Sequence, residues 1–289
     1  MQYNSLVLCA AFAITSVFSH GVITEVTGAN GVTMPGLTVV DGTPRDCPSA
    51  GCGAQDDTAI IRANEIGTSK ASAMGRTKAN GPVTADRIME VFMGGTANNT
   101  ARDIHAGASL YRRQLFGGKA FGGAAGGAGS VKTPAGTSET GVAAAAGVGA
   151  SDGLPTCSDA GVVEMTMHQI NQDGAGPFTA MVDATSGGTD PAAFKTAEVT
   201  QNVPGLVAGI STTTTTDFPV KVQMPQGMTC SGSVGGASNV CVVKMQNKTP
   251  AGPFGGAAAF TQSTAAKKRA IEYNLRKRRM ARALKESRA

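Results

Sequence analysis

The chain has 289 residues, of which 39 are Gly and only 13 are aromatic (10 Phe, 3 Tyr and no Trp), and 16% are charged. So much Gly excludes an all-helical bundle, because each Gly costs about 1 kcal/mol in a helix interior, and the abundance of apolar over charged residues excludes a chain held open by self-repulsion. The net charge of +5 hides a division: residues 265–289 carry ten Lys or Arg against two Glu, a local +8 that leaves −3 for everything before them.

Residues 1–19 contain no Lys, Arg, Asp or Glu, and 6–18 form an apolar run of signal-peptide length, too short to span a bilayer comfortably. We read 1–19 as a secretory signal, with Val17-Phe18-Ser19 placing a small residue at the cleavage point and an aliphatic one two before it. The processed chain then opens on His20 and is secreted, extracellular or held at the cell surface, with no transmembrane segment. An N-terminal His offers a metal two nitrogens from one residue, its α-amine and its ring. Deprotonating an amine of pKa about 8 costs only about 1–2 kcal/mol at neutral pH.

Residues 22–26, then 32–40 broken by Pro35 and Gly36, read as strand, turn and strand. Beyond the signal the cysteines are Cys47, Cys52, Cys157, Cys230 and Cys241; short loops favour Cys47 with Cys52 and Cys230 with Cys241, leaving Cys157 over. The apolar spacing of 57–66 and of 83–92 predicts two short helices. Asn98 and Asn247 open glycosylation sequons, and 211–216 reads as an O-glycan cluster. Residues 117–149, with 11 Gly and 9 Ala among 33, read as a Gly/Ala-rich surface insertion that builds no core.

From residue 154 the pattern is β. Val163, Met165 and Met167 alternate with Glu164, Thr166 and His168, and further strands are predicted at 178–184, 218–224 and 240–246. Short strands between Gly/Pro turns give a mainly β fold: an antiparallel β-sandwich, immunoglobulin-like, over 20–262. Residues 263–289 form a basic helical tail, free of Gly and Pro from 265 to 283. Its cations suit an acidic polysaccharide or a membrane surface, or else a solvated or docked terminal helix; export argues against nucleic acid, and no nucleic-acid-binding signature accompanies the charge.

The chain has three His, at 20, 105 and 168, and no GxSxG elbow, HExxH helix, Walker loop or Rossmann fingerprint. A glycosidase needs two facing carboxylates; Glu164 and Asp173 are present, but no spacing singles them out. The sharper reading is a histidine brace, in which the amine and ring of His20 join one more imidazole. Three nitrogens with open positions suit copper. His168, on the polar face of a predicted strand before a Gly-rich turn, is the preferred second ligand, and His105, beside the insertion, is the alternative. Gln172 and Asn171 are candidates for hydrogen bonds around the ligands, whereas Gln169 falls on the opposite face by parity.

Several motifs carry a family resemblance. His20-Gly21-Val22-Ile23, Asp41-Gly42-Thr43-Pro44-Arg45-Asp46, the run His168-Gln169-Ile170-Asn171-Gln172-Asp173-Gly174-Ala175-Gly176-Pro177, Ala251-Gly252-Pro253-Phe254-Gly255-Gly256 and the basic tail resemble the fungal appressorium-associated secreted proteins of the Mas type, related to the Egh proteins of powdery mildews. That resemblance spans nearly the whole processed chain and implies a secreted protein linked to host penetration and virulence. A second, weaker one is to the lytic polysaccharide monooxygenases (LPMOs), β-sandwiches whose first residue is a copper-binding His. It rests on His20-Gly21, the β pattern and Phe254, where an axial aromatic is sought; the absence of Trp departs from a flat glycan-binding face.

Two readings result. One is an LPMO-like copper oxygenase acting on a cell-wall polysaccharide, with His20 and His168 as ligands, Phe254 as axial neighbour and Gln172 beside them. The other is a non-catalytic secreted protein that binds the wall or a host apoplastic component.

Overall fold

A computed structural model describes residues 20–94, 129–206 and 209–288. Its centre is the alternating run that the sequence announces. Strand β7 (Val162–Gln169) pairs antiparallel with β1 (Gly21–Thr27) on one side and β10 (Thr216–Gln223) on the other. Strand β1 also pairs with β2 (Thr33–Pro35), and β10 with β6 (Val131–Lys132) and β9 (Lys195–Gln201). The sheet continues through β8 (Thr179–Asp183), β12 (Ala237–Gln246) and β13 (Phe254–Phe260) to β3 (Ala59–Ile60), β4 (Arg76–Thr77) and β5 (Gly81–Pro82), with β11 (Gly232–Val234) beside β12.

This path curls until its halves face each other, giving the predicted antiparallel sandwich-like fold. Ile23, Val26, Met165, Met167, Val220 and Val222 of the first half share one core with Val182, Val243, Met245 and Phe260 of the second. The closure is tight where β1 meets β13. A Cβ on Gly256 would sit 2.8 Å from the Ile23 nitrogen, and one on Gly255 would sit 1.9 Å from the Met245 carbonyl oxygen. The Leu37 amide donates to the Ala257 carbonyl oxygen at 2.8 Å. Strand β13, Phe-Gly-Gly-Ala-Ala-Ala-Phe, is buried along its whole length, so it shows no alternation and escapes a reading based on period.

The 83–92 helix forms as α1 (Asp86–Phe92), with Ile88, Met89, Val91 and Phe92 buried. The helix expected over 57–66 does not form. Ala59 and Ile60 are claimed instead by the ladder to β13, and Asp57 before them is locked in an ion pair.

The insertion reading of 117–149 also needs correction from residue 129 onward, residues 117–128 lying outside the described ones. There β6, α2 (Gly141–Ala144) and α3 (Val148–Asp152) pack on the body. Small residues make the contact possible: the Phe92 ring occupies the space where a Cβ on Gly149 would lie, at 2.5 Å. Asp41 holds the start of α2, accepting from the Val142 and Ala143 amides at 2.9 and 2.7 Å.

The 41–57 loop packs through Ala54 and the Cys47–Cys52 disulfide on Val22 and Ile170, residues 139–148 border Thr24, Glu25 and Pro35, and Arg45 ties the two segments together. Its guanidinium donates to both Asp57 oxygens, at 3.1 and 2.5 Å, and to Glu139 Oε2 at 2.9 Å. Burial alone would raise the Glu139 carboxyl, but the Arg45 charge and the Gly141 and Thr140 amides outweigh it and hold it below its ordinary value. Disulfides join Cys47 to Cys52 and Cys230 to Cys241, as the short loops suggest, and Cys157 is a buried free thiol. The tail is α4 (Thr264–Glu286), capped by Ser263 Oγ accepting from the Ala266 amide. No helix among the described residues is long and apolar enough to cross a membrane.

Two outcomes are expected. Gly255→Ala should lower the urea midpoint by an amount equivalent to about 1–3 kcal/mol, while Gly51→Ala, whose Cβ would meet only Ser49 Oγ at 3.7 Å, should stay within about 0.5 kcal/mol of the parent. Glu139→Gln should cost about 1–3 kcal/mol at pH 7. Because the folded carboxyl is depressed, that stabilisation is present above the unfolded value of about 4.3 and is lost as pH falls through the lower folded value, so urea titrations of variant and parent should converge in acid.

Candidate functional site

Register decides which side chains share a face. His168 of β7 lies directly across from Val22 on β1 and from Asp217 on β10. The Ile170 amide donates to the His20 carbonyl oxygen at 2.9 Å, which carries the β1–β7 ladder one step past Gly21. His20 therefore falls two positions from Val22 on the same face, as the diagonal neighbour of His168, a relation that usually spaces Cβ atoms by about 7–8 Å or slightly less. Val22 and Ile170 pack here against Ala54 and the Cys47–Cys52 disulfide, apart from the main core.

His20 is held from three sides. Its backbone N–H donates to Asn171 Oδ1 at 2.9 Å. The turn after β7 closes over it so tightly that a Cβ on Gly174 would lie 2.0 Å from the His20 carbonyl oxygen. Its ring sits 4.5 Å from the Phe254 ring, centroid to centroid, at a 34° tilt. Phe254 is placed by Asn247, whose Oδ1 accepts from the Phe254 amide at 3.0 Å while its Nδ2 donates to the Ala175 and Asp173 carbonyl oxygens at 3.3 and 3.5 Å.

His168 is buried at 1% exposure, and its Nδ1 lies 2.6 Å from Asp217 Oδ1. A carboxylate only accepts, so the proton of the neutral ring sits on Nδ1 and the lone pair on Nε2. That Nε2 is buried and meets no hydrogen-bond partner among the described residues. A buried polar atom without a partner costs about 1–3 kcal/mol unless something else satisfies it. Both carboxylate oxygens of Asp173 are likewise buried and unpartnered, and burial raises its carboxyl.

Of the residues expected from sequence, His20, His168 and Phe254 come to this end of the sheet. The Gln172 side chain is exposed, and only its backbone is engaged, its carbonyl accepting from the Ser211 amide at 2.6 Å. The polar contact to His20 is made by Asn171. His105 lies outside the described residues, as do the signal reading of 1–19 and the Asn98 sequon.

Asp217 was not legible, because it sits at the strand end beside a threonine run that reads as a glycan cluster. Thr215 and Thr216 of that run are buried and pair with β7 and its flank, the Thr215 amide donating to the Ile170 carbonyl. Asn247 is a second correction: with no exposed surface, its side chain is a structural tie and not a glycan acceptor in the folded protein.

Among the described residues no three His, Cys, Asp or Glu side chains gather as a metal-holding group. A metal at His168 thus depends on the main-chain nitrogen of His20 as a third donor. The buried Nε2 of His168, its ring fixed by Asp217, and the nitrogens of its diagonal neighbour His20 are the donors that such a site would use.

The chain matches the Egh16-like virulence factor family over residues 18–255. It is 58% identical to the appressoria-specific virulence factor GAS2 of Pyricularia oryzae, with 98% of this chain and 97% of the relative aligned. It is 28% identical to the appressoria-specific virulence factor GAS1 of the same fungus, over 96% of this chain and 87% of that one. No solved structure matches it. The match of most of the chain to one family pattern, together with an end-to-end relative, makes this chain a member of the Egh16-like virulence factor family.

Proposed function

We propose that the protein is a secreted virulence factor of a fungus, used in host penetration, and that cleavage after Ser19 turns His20 and His168 into a histidine-brace copper site of LPMO-like type that acts oxidatively on a cell-wall polysaccharide. The observation that carries this reading is the buried, unpartnered Nε2 of His168 on the face that His20 shares. The family membership supports the virulence part, through relatives whose names describe appressoria-specific virulence factors.

In this reading the His20 amine and ring and His168 Nε2 hold the metal. Copper, when bound, supplies one-electron chemistry with oxygen or peroxide. The protein's own groups do the positioning. Asp217 keeps the Nδ1 proton and so presents the Nε2 lone pair. Asn171 Oδ1, which accepts from the His20 nitrogen, aims that nitrogen after cleavage. The Phe254 ring, beside the His20 ring, keeps water and exchangeable ligands off that side.

Mass spectrometry of the secreted protein should find His20 as the first residue, and calorimetry should find one tight copper ion per chain. Tight binding should vanish in His168→Ala and in a form carrying one extra Gly before His20; if either binds copper as tightly as the parent, the brace is wrong. Asp217→Asn should weaken copper binding about 10–100-fold with the fold intact. A chain whose terminus is His20 but which takes up no copper would leave the non-catalytic wall- or host-binding reading standing.

A further inference from the structure

The site above uses nothing of the C-terminal helix, yet that helix holds the most concentrated charge in the molecule. Its first half is docked: Ala266 and Ala270 are buried, Ser263 Oγ donates to Asp159 Oδ1 at 2.8 Å, and Asn274 Nδ2 donates to the Gly227 carbonyl at 2.8 Å. Beyond Asn274 every described residue is exposed. Residues 275–286 extend the helix by about 18 Å at 1.5 Å per residue.

Residues 276–288 contain seven Lys or Arg against Glu286 alone, a net +6. None of the seven makes an ion pair or a side-chain hydrogen bond among the described residues. They begin as four in succession, Arg276 to Arg279, and continue as Arg282, Lys285 and Arg288, in steps of about 4.5 Å of rise. Seven like charges this close repel one another. The residues before 265 carry a net −3, yet among the described residues none of their carboxylates pairs with these seven cations.

We infer that the projecting half of this helix is a docking surface for a linear polysaccharide bearing carboxylates, independent of the copper reading. Three observations favour that occupant over other polyanions. The exposed apolar residues are not gathered into one stripe: Leu275 lies about 140° around the axis from Met280 and about 180° from Leu284, and the cations occupy every side between them. A helix that lies in a lipid surface needs one apolar face opposite a basic one, whereas a flexible linear polymer meets charge from any side.

The root of the helix also borders a groove of about 440 Å³, lined among others by Gln226, Arg269 and Tyr273, where an amide, a cation and an aromatic ring offer a sugar unit hydrogen bonds, charge and a stacking face. Finally, two disulfides mark a protein that folds in an oxidising compartment, where extracellular polysaccharide is met and nucleic acid is not.

The test uses the full secreted chain, a form ending at Asn274, and a form with all seven cations changed to Gln (Arg276→Gln and so on), Gln keeping helix propensity. Binding is measured to de-esterified polygalacturonate, to a neutral β-glucan, to phosphatidylserine vesicles and to duplex DNA. The full chain should bind polygalacturonate at least tenfold more tightly than the neutral glucan, and binding should be lost near 1 M salt, where the Debye length is about 3 Å. Both altered forms should lose that preference while their thermal unfolding stays cooperative. The inference is overturned if either altered form binds polygalacturonate as the parent does, if the parent does not distinguish it from the neutral glucan, or if vesicles or DNA are bound more tightly than polygalacturonate.

Discussion

A chain with so few aromatic side chains must close its core by bringing backbones together, and the contact of β13 with β1 and β12 is where it does so. Gly255 and Gly256 leave no room for a side chain between Met245 and Ile23, and the three Ala that follow keep the strand thin. Close approach replaces bulk. Because the same strand begins with Phe254, the contact that seals the sandwich also sets an aromatic ring beside His20. The core and the candidate metal site therefore share one geometric condition, and a change that spreads the two halves displaces the ring as well.

The other determinant of the site is register. In the row Val22, His168, Asp217, each residue comes from a different strand, and the ladder alone aligns them. A slip of one residue between β7 and β10 would set Gln169 or Met167 opposite Asp217 and turn the imidazole out of reach. Arg45, Asp57 and Glu139 fasten the 41–57 loop, which packs on Val22 and Ile170 at one end of this row, to the segment around Glu139. The buried charges there are matched by one guanidinium with parallel donors, an arrangement that favours one geometry more than it adds stability.

What was legible in the sequence follows from which forces act locally. The alternation at 162–168 survives because β7 has a core face and a polar face, and the short cysteine loops close as their spacing suggests. The helix 83–92 and the tail declare themselves by propensity and period. Strand β13 was hidden because burial on both faces abolishes alternation. The Gly/Ala stretch after 129 is ambiguous in sequence because small residues serve two opposite ends, mobility in a linker and intimate contact in a packed segment, and only the presence of Phe92 across from Gly149 separates them. At the site, residue chemistry alone points to His20, His168 and Phe254, whereas the place of Asp217 follows only from the pairing of β10 with β7.

The burial of Asn247 bears on biogenesis. Asn247-Lys248-Thr249 is an acceptor sequence for the glycosylation machinery of the export route, and that machinery meets a chain before it has finished folding. The finished structure has no space there: the amide group is enclosed and joins the 173–175 turn to the approach to β13. Sugar transfer at this asparagine and completion of the sandwich are mutually exclusive. An exported molecule carrying an oligosaccharide at this position records a folding event that came too late.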